Sequence, residues 1–131
     1  MTADELALKY IEALESQDLN GIIALFTENG QVISPLYGQL PAVDFYGQLF
    51  NDTQYSQIQL NDVFDNSPEG KVAIFFKYRW HLKGSETVSF DVVDLIELSD
   101  GKIEKLTIIY DTFQTRQVFN QRKLGEKLDE S

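Results

Sequence analysis

From about residue 55 onward the apolar residues recur at every second position, in four successive runs near 55–65, 71–83, 86–99 and 102–113. Side chains alternate across a β-strand, so this period marks half-buried strands. The segments between the runs, "NSPEG", "KGSE" and "SDGK", are rich in turn formers. Connections this short join antiparallel neighbours, and the second half of the chain is therefore predicted to be an antiparallel meander.

Before residue 55 the period is helical. Over residues 3–16, Leu6, Tyr10, Ala13 and Leu14 form one stripe with Ala7 and Ile11 beside it, while Asp4, Glu5, Glu12 and Glu15 lie elsewhere. Asp18 is placed to cap a second, shorter helix that turns Leu19, Ile22, Ile23 and Phe26 inward and closes near Asn29-Gly30. "QVISPLYG" begins like a strand that Pro35 and Gly38 interrupt, which predicts a short edge strand leading into a turn. A third helix is predicted after Pro41, carrying Val43, Phe45, Tyr46, Leu49 and Phe50. Helices gathered first and strands last define an α+β domain and not a parallel α/β one. The 131 residues suit one domain, 1–131, with a polar tail from about residue 114 that holds a helical turn around Val118 and Phe119 and frays at its end.

One position breaks the strand pattern. In "SFDVVDLIEL", Phe90, Val92, Asp94, Ile96 and Leu98 share a face, and Asp94 is the one carboxyl among four hydrocarbons. An ionised carboxylate there is costly, so Asp94 must be paired, solvated by a cavity or protonated. The preceding run puts Val72, Ile74, Phe76, Tyr78, Trp80 and Leu82 on one face and Lys77, Arg79, His81 and Lys83 on the other. A curved sheet with an aromatic inner face, closed by helices, is a natural place for an apolar ligand cavity, although packing against the helices gives the same pattern. Phe76, Tyr78 and Trp80 would be its wall.

Composition removes several function classes. A net charge of -10 disfavours nucleic acid and anionic membrane surfaces, and no apolar run approaches a bilayer span. Without Cys, and with a single His, disulfides, thiolate catalysis and sulfur- or imidazole-rich metal centres are excluded; neither metal nor cofactor is expected. Glu126, Asp129 and Glu130 read as a solvated terminus. "MTADELALKYIEAL" lacks the basic and apolar regions of a secretory signal, which makes the cytoplasm the expectation.

"KYIEALESQDLNGIIALFTENGQV" and "VVDLIELSDGKIEKL" resemble SnoaL-like and ketosteroid-isomerase-like proteins of the nuclear transport factor two-like superfamily. The resemblance extends to about residue 113. It implies a cone-shaped, curved antiparallel sheet closed by three N-terminal helices, the cystatin-like fold, and a homodimer. That fold hosts isomerases, cyclases, hydrolases, dehydratases and noncatalytic modules.

In the steroid isomerase branch the positions matching Tyr10 and Asp94 hold an oxyanion-binding tyrosine and a neutral aspartic acid, and Tyr46 matches a tyrosine bonded to the first. This pairing of a tyrosine with a neutral aspartic acid is carried over by resemblance. The general-base aspartate of that branch is Ser34 here, in "SP", and a Ser hydroxyl is too weak a base to take a proton from carbon. Asp111 or Asp62, or a group on the substrate, would have to serve. "IIYDT" also resembles limonene epoxide hydrolases, where Asp111 falls close to a catalytic acid, but their Arg-x-Asp motif is Arg79-Trp80-His81 here. From its strand-end place alone, Asp111 reads as exposed.

The expectation is an enzyme, of isomerase or cyclase type, or a binder that takes a small hydrophobic carbonyl or enol compound. Tyr10 and Asp94 would be catalytic, with Ser34, Tyr46, Phe76, Tyr78, Trp80 and Asp111 in the pocket. The alternatives are a noncatalytic apolar-ligand module and an interaction module using the sheet face of Arg79 and His81.

Overall fold

The computed structural model describes residues 1–84 and 87–118. Helix α1 (Ala3–Ser16) starts at Thr2, whose hydroxyl accepts from the Glu5 backbone N–H while the Glu5 carboxylate reaches back to the Thr2 backbone. These reciprocal bonds satisfy donors that a helix start leaves open. Its stripe of Leu6, Ala7, Tyr10, Ala13 and Leu14 is buried, as the spacing predicts.

Helix α2 (Leu19–Ile23) is capped by Asp18, which accepts from Gly21 N–H. A Cβ at Gly21 would run into that carboxylate, which would have to shift to admit another residue. The helix ends at Ile23 and not near Asn29-Gly30. Strand β1 (Phe26–Ser34) takes up the backbone instead, because Phe26 and Gln31 to Ile33 find partners in the last strand, with an irregularity between Phe26 and Gln31. Gly30 lies in that irregularity, where a Cβ would come 2.8 Å from the Phe26 ring.

"QVIS" is therefore the end of a nine-residue interior strand and not an edge. The edge is β2 (Gly38–Pro41), folded back antiparallel on β1 so that Ser34 faces Gly38. Helix α3 (Ala42–Asp52) follows, with Pro41 as its N-cap and Phe45, Tyr46 and Leu49 buried.

The meander forms as the period predicts: β3 (Thr53–Asn66), β4 (Lys71–Leu82), β5 (Thr87–Ser99) and β6 (Lys102–Ile109), each antiparallel to the next. Between Ser99 and Lys102 the turn is Asp100-Gly101, both at positive φ (51° and 78°), the twist that suits a two-residue hairpin. The sheet order is β2-β1-β6-β5-β4-β3, and the β1–β6 pair is its one parallel junction. This curved, unclosed sheet has α1 against β3 and α2, and α3 against α2, β1, β2 and β3.

The polar segment expected from about residue 114 holds a helix in its described part. Asp111 Oδ1 accepts from Phe113 N–H, and a helix over 113–118 buries Thr115 and Val118. Arg116 ties this helix to the Pro35 carbonyl at 2.8 Å. Phe119 and the acidic residues beyond it lie outside the described residues. Among the described residues, no helix is long and apolar enough to cross a membrane.

Candidate functional site

Asp94 stands in the middle of β5, paired with Ile74 on one side and Ile108 on the other. Alternation turns it inward with Val92 and Ile96, and only 1% of it is exposed. Neither carboxyl oxygen has a hydrogen-bond partner of good geometry among the described residues. Burial pushes the carboxyl up from its ordinary 3.8 to about 8, with the nearby Tyr10 hydroxyl working in the opposite sense. At neutral pH the favoured form of Asp94 is the neutral acid, which carries a proton to donate.

The Tyr10 and Tyr46 hydroxyls, from α1 and α3, are 2.7 Å apart and buried. Burial raises both phenols well above their usual range, and the Asp94 charge adds to this in each. Tyr46 is fixed by Phe26, Phe45 and Phe50, whose ring centroids lie 4.8–6.0 Å from its own. When Tyr46 donates to Tyr10, the Tyr10 proton is left to point elsewhere.

Tyr10 and Asp94 open on one cavity, walled by Phe76, Tyr78, Trp80, Phe45 and Val92 and rimmed by the half-buried Leu36, Tyr37, Phe90, Ile108 and Tyr110. It offers ≈ 50 Å³ to the centres of water-sized molecules, room for about three to five of them. Trp80 is fixed by a 2.7 Å bond from its indole N–H to Thr53 Oγ1, and Thr53 donates in turn to the Leu49 carbonyl at 2.6 Å.

Ser34 ends β1 at the cavity wall. Its Oγ accepts from the backbone N–H groups of Leu36 (3.2 Å) and Tyr37 (3.3 Å), fixing the turn that follows. The Tyr37 hydroxyl donates to Asp52 Oδ2 at 2.7 Å, and Gln48 Nε2 bonds the same carboxylate from one helical turn earlier.

Of the residues singled out from sequence, Tyr10, Ser34, Phe76, Tyr78, Trp80 and Asp94 meet at this cavity. Tyr46 stands behind Tyr10 and does not line it. Asp111 is a correction: it is exposed and spends an oxygen on starting the 113–118 helix, because β6 ends at Ile109 and the chain turns there. Asp62 is exposed too, at an irregularity in the β3–β4 pairing. Arg79 and His81 face outward, His81 stacked on Tyr55 with ring centroids 3.7 Å apart.

Sequence reasoning missed Tyr37, Asp52 and Tyr110. Tyr110 follows Leu106 and Ile108 at the strand period, and the Gln48–Asp52 spacing puts those residues together on a helix. Tyr37 lies in a turn, where no period points anywhere.

A curved α+β sheet with helices closing one face over an aromatic cavity defines a cystatin-like fold. The chain belongs to the SnoaL-like family, whose domain matches residues 7–106. No curated protein matches it. Among solved structures it is similar to a protein of ketosteroid isomerase-like fold from Catenulispora acidiphila DSM 44928, in complex with trimethylamine (15% identity, 84% of this chain, 88% of that one, TM-score 0.74). It is also similar to TerC co-crystallised with polyporic acid (18%, 90%, 98%, 0.74). A third is a candidate polyketide cyclase from Pseudomonas putida KT2440 (21%, 85%, 92%, 0.68). Identities this low establish the shared fold alone.

Proposed function

We propose that the cavity binds a small, mainly apolar molecule through a carbonyl or enol oxygen, which accepts hydrogen bonds from Tyr10 and protonated Asp94. The observation that carries this is a fully buried carboxyl with both oxygens unpartnered at the wall of an aromatic cavity. Buried polar groups are ordinarily satisfied, so an unpartnered one points to a ligand as its partner. Donors held in a dry site stabilise negative charge developing on that oxygen, which is the service an isomerase or cyclase requires.

The proton acceptor of such a reaction is not Asp62 or Asp111, which lie outside the cavity, nor Ser34. This favours proton transfers in which the substrate's own group or water is the base. It equally supports a second reading, in which the molecule is held without turnover. The cavity size supports a single-ring compound over a steroid.

Calorimetry with acetophenone tests the binding. Affinity should fall between pH 6 and pH 9 as Asp94 ionises. Asp94→Asn should remove that pH dependence, and Asp94→Leu or Tyr10→Phe should weaken binding about tenfold at pH 6. Affinity that ignores both pH and these substitutions overturns the reading.

The resemblance also implies a homodimer. An apolar band on the outer sheet face, with Phe64, Leu95 and Ile109 each 43–56% exposed, supports that expectation, and light scattering tests it.

A further inference from the structure

Among the described residues that line the cavity, Asp94 is the one titratable group that is not a phenol, and no Lys, Arg or His joins it. Protonated, the carboxyl is a donor; ionised, it is a buried negative charge that nothing on the wall offsets. Such a charge requires a partner. Ile74 and Ile108 flank Asp94 in the sheet, and both of its oxygens lack a hydrogen-bond partner of good geometry, so the cavity is where that partner can stand.

The rings limit what the partner can be. Eight of the fifteen described lining residues are aromatic. The face of an aromatic ring carries partial negative charge and attracts a cation within about 6 Å of its centre, Trp most strongly. Phe76, Tyr78 and Trp80 stand at successive inward positions of β4, and Phe90 is stacked on Tyr110 with centroids 4.4 Å apart. Rings and carboxyl together suit a cation clothed in hydrocarbon, which is weakly hydrated and gives up little on leaving water. Room for about three to five water molecules matches one methylated ammonium group. The chain's net charge of -10 draws cations toward it from solution.

We infer that the cavity also takes a small alkylammonium cation, with the Asp94 carboxylate as its counter-ion and the aromatic wall around its methyl groups. This rests on the cavity being a ligand site and adds a second ligand class to the carbonyl compound; the proton on one carboxyl selects between them. The phenols nearby do not compete for that role. Tyr10 from α1, Tyr46 from α3 and Tyr78 from β4 stand near enough to feel the Asp94 charge, and Tyr37 and Tyr110 lie at the rim. Burial raises the pKa of all five, so they stay neutral through pH 9. Asp94, pushed up to about 8, is the group that titrates.

Calorimetry with tetramethylammonium, which is charged at every pH, tests this against tert-butanol, a neutral molecule of the same shape. Asp94 is protonated at pH 6 and ionised at pH 9. Tetramethylammonium should therefore bind about tenfold more tightly at pH 9 than at pH 6, while tert-butanol gains far less. At pH 7 the cation should release a proton on binding, seen as a heat that changes with the ionisation enthalpy of the buffer. Asp94→Asn should remove both effects; if that variant does not fold, the wild-type profile and proton release still decide. No tetramethylammonium binding at pH 9, a flat pH profile, an equal gain for tert-butanol, or a gain that survives Asp94→Asn overturns the inference, and acetophenone binding at pH 6 then tests the donor pair by itself. Tetramethylammonium bound in the expected way upholds the inference even where acetophenone does not bind.

Discussion

The hydroxyl oxygens of Tyr10 and Tyr46 lie 2.7 Å apart although 36 residues separate them along the chain. One comes from the helix that opens the fold and the other from the helix that precedes the meander, and both are sealed from solvent at 1% and 0% exposure. Each phenol answers the hydrogen-bonding need of the other, which is how two buried hydroxyls coexist beside Asp94.

Removing one member leaves the other unsatisfied. Tyr10→Phe and Tyr46→Phe should each cost about 1–3 kcal/mol, and the double variant less than the two together. Urea unfolding of the three variants measures the coupling. Strict additivity would show that the pair contributes nothing jointly.

Asp94 gives stability a pH dependence. Its folded pKa, about 8, lies above its ordinary 3.8, so the folded chain holds the proton longer than the unfolded one does. The contribution is fully present below about pH 4 and is lost as pH rises to about 8, on the order of 5 kcal/mol in all. Asp94→Asn should flatten urea midpoints measured between pH 4 and pH 9. A parent chain with a flat profile would contradict the burial of this acid.

Trp80 is the single tryptophan, so its fluorescence reports on one wall of the cavity. Thr53→Val leaves the indole N–H buried without its acceptor and should cost about 1–3 kcal/mol. A changed emission maximum in the folded variant would locate the effect at that indole. An unchanged spectrum and stability would mean the bond matters little.

The helix over 113–118 should loosen when its tie to Pro35 is cut. Arg116→Ala removes the 2.8 Å bond to the Pro35 carbonyl, an exposed contact worth about 1 kcal/mol. Faster amide exchange within 113–118, with the sheet unaffected, is the expected result.

Much of the fold was legible in residue order. The period-two runs became β3 to β6, the stripe with Tyr10 became the buried face of α1, and the misfit of Asp94 among Phe90, Val92, Ile96 and Leu98 marked the site. The second helix was carried too far, and "QVIS", read as a strand, was set at an edge, because Phe26 and Gln31 to Ile33 pair with β6, more than seventy residues later. Ambiguous local preference yields to such pairing. Asp111 is exposed, as its strand-end place indicated; the resemblance to limonene epoxide hydrolases alone had put it in the pocket.

Sequence by itself determined the alternation and the turns, and with them the meander, the inward direction of Asp94 and the aromatic character of the cavity wall. These are local properties: each side chain's facing follows from its neighbours' spacing. Only the tertiary structure decided that β1 runs parallel to β6, that Tyr37 is bonded to Asp52, and that Asp62 stays outside, whereas the bond between Tyr10 and Tyr46 was implied by the resemblance. Those outcomes depend on contacts between segments far apart in the chain, which packing selects and no local pattern encodes.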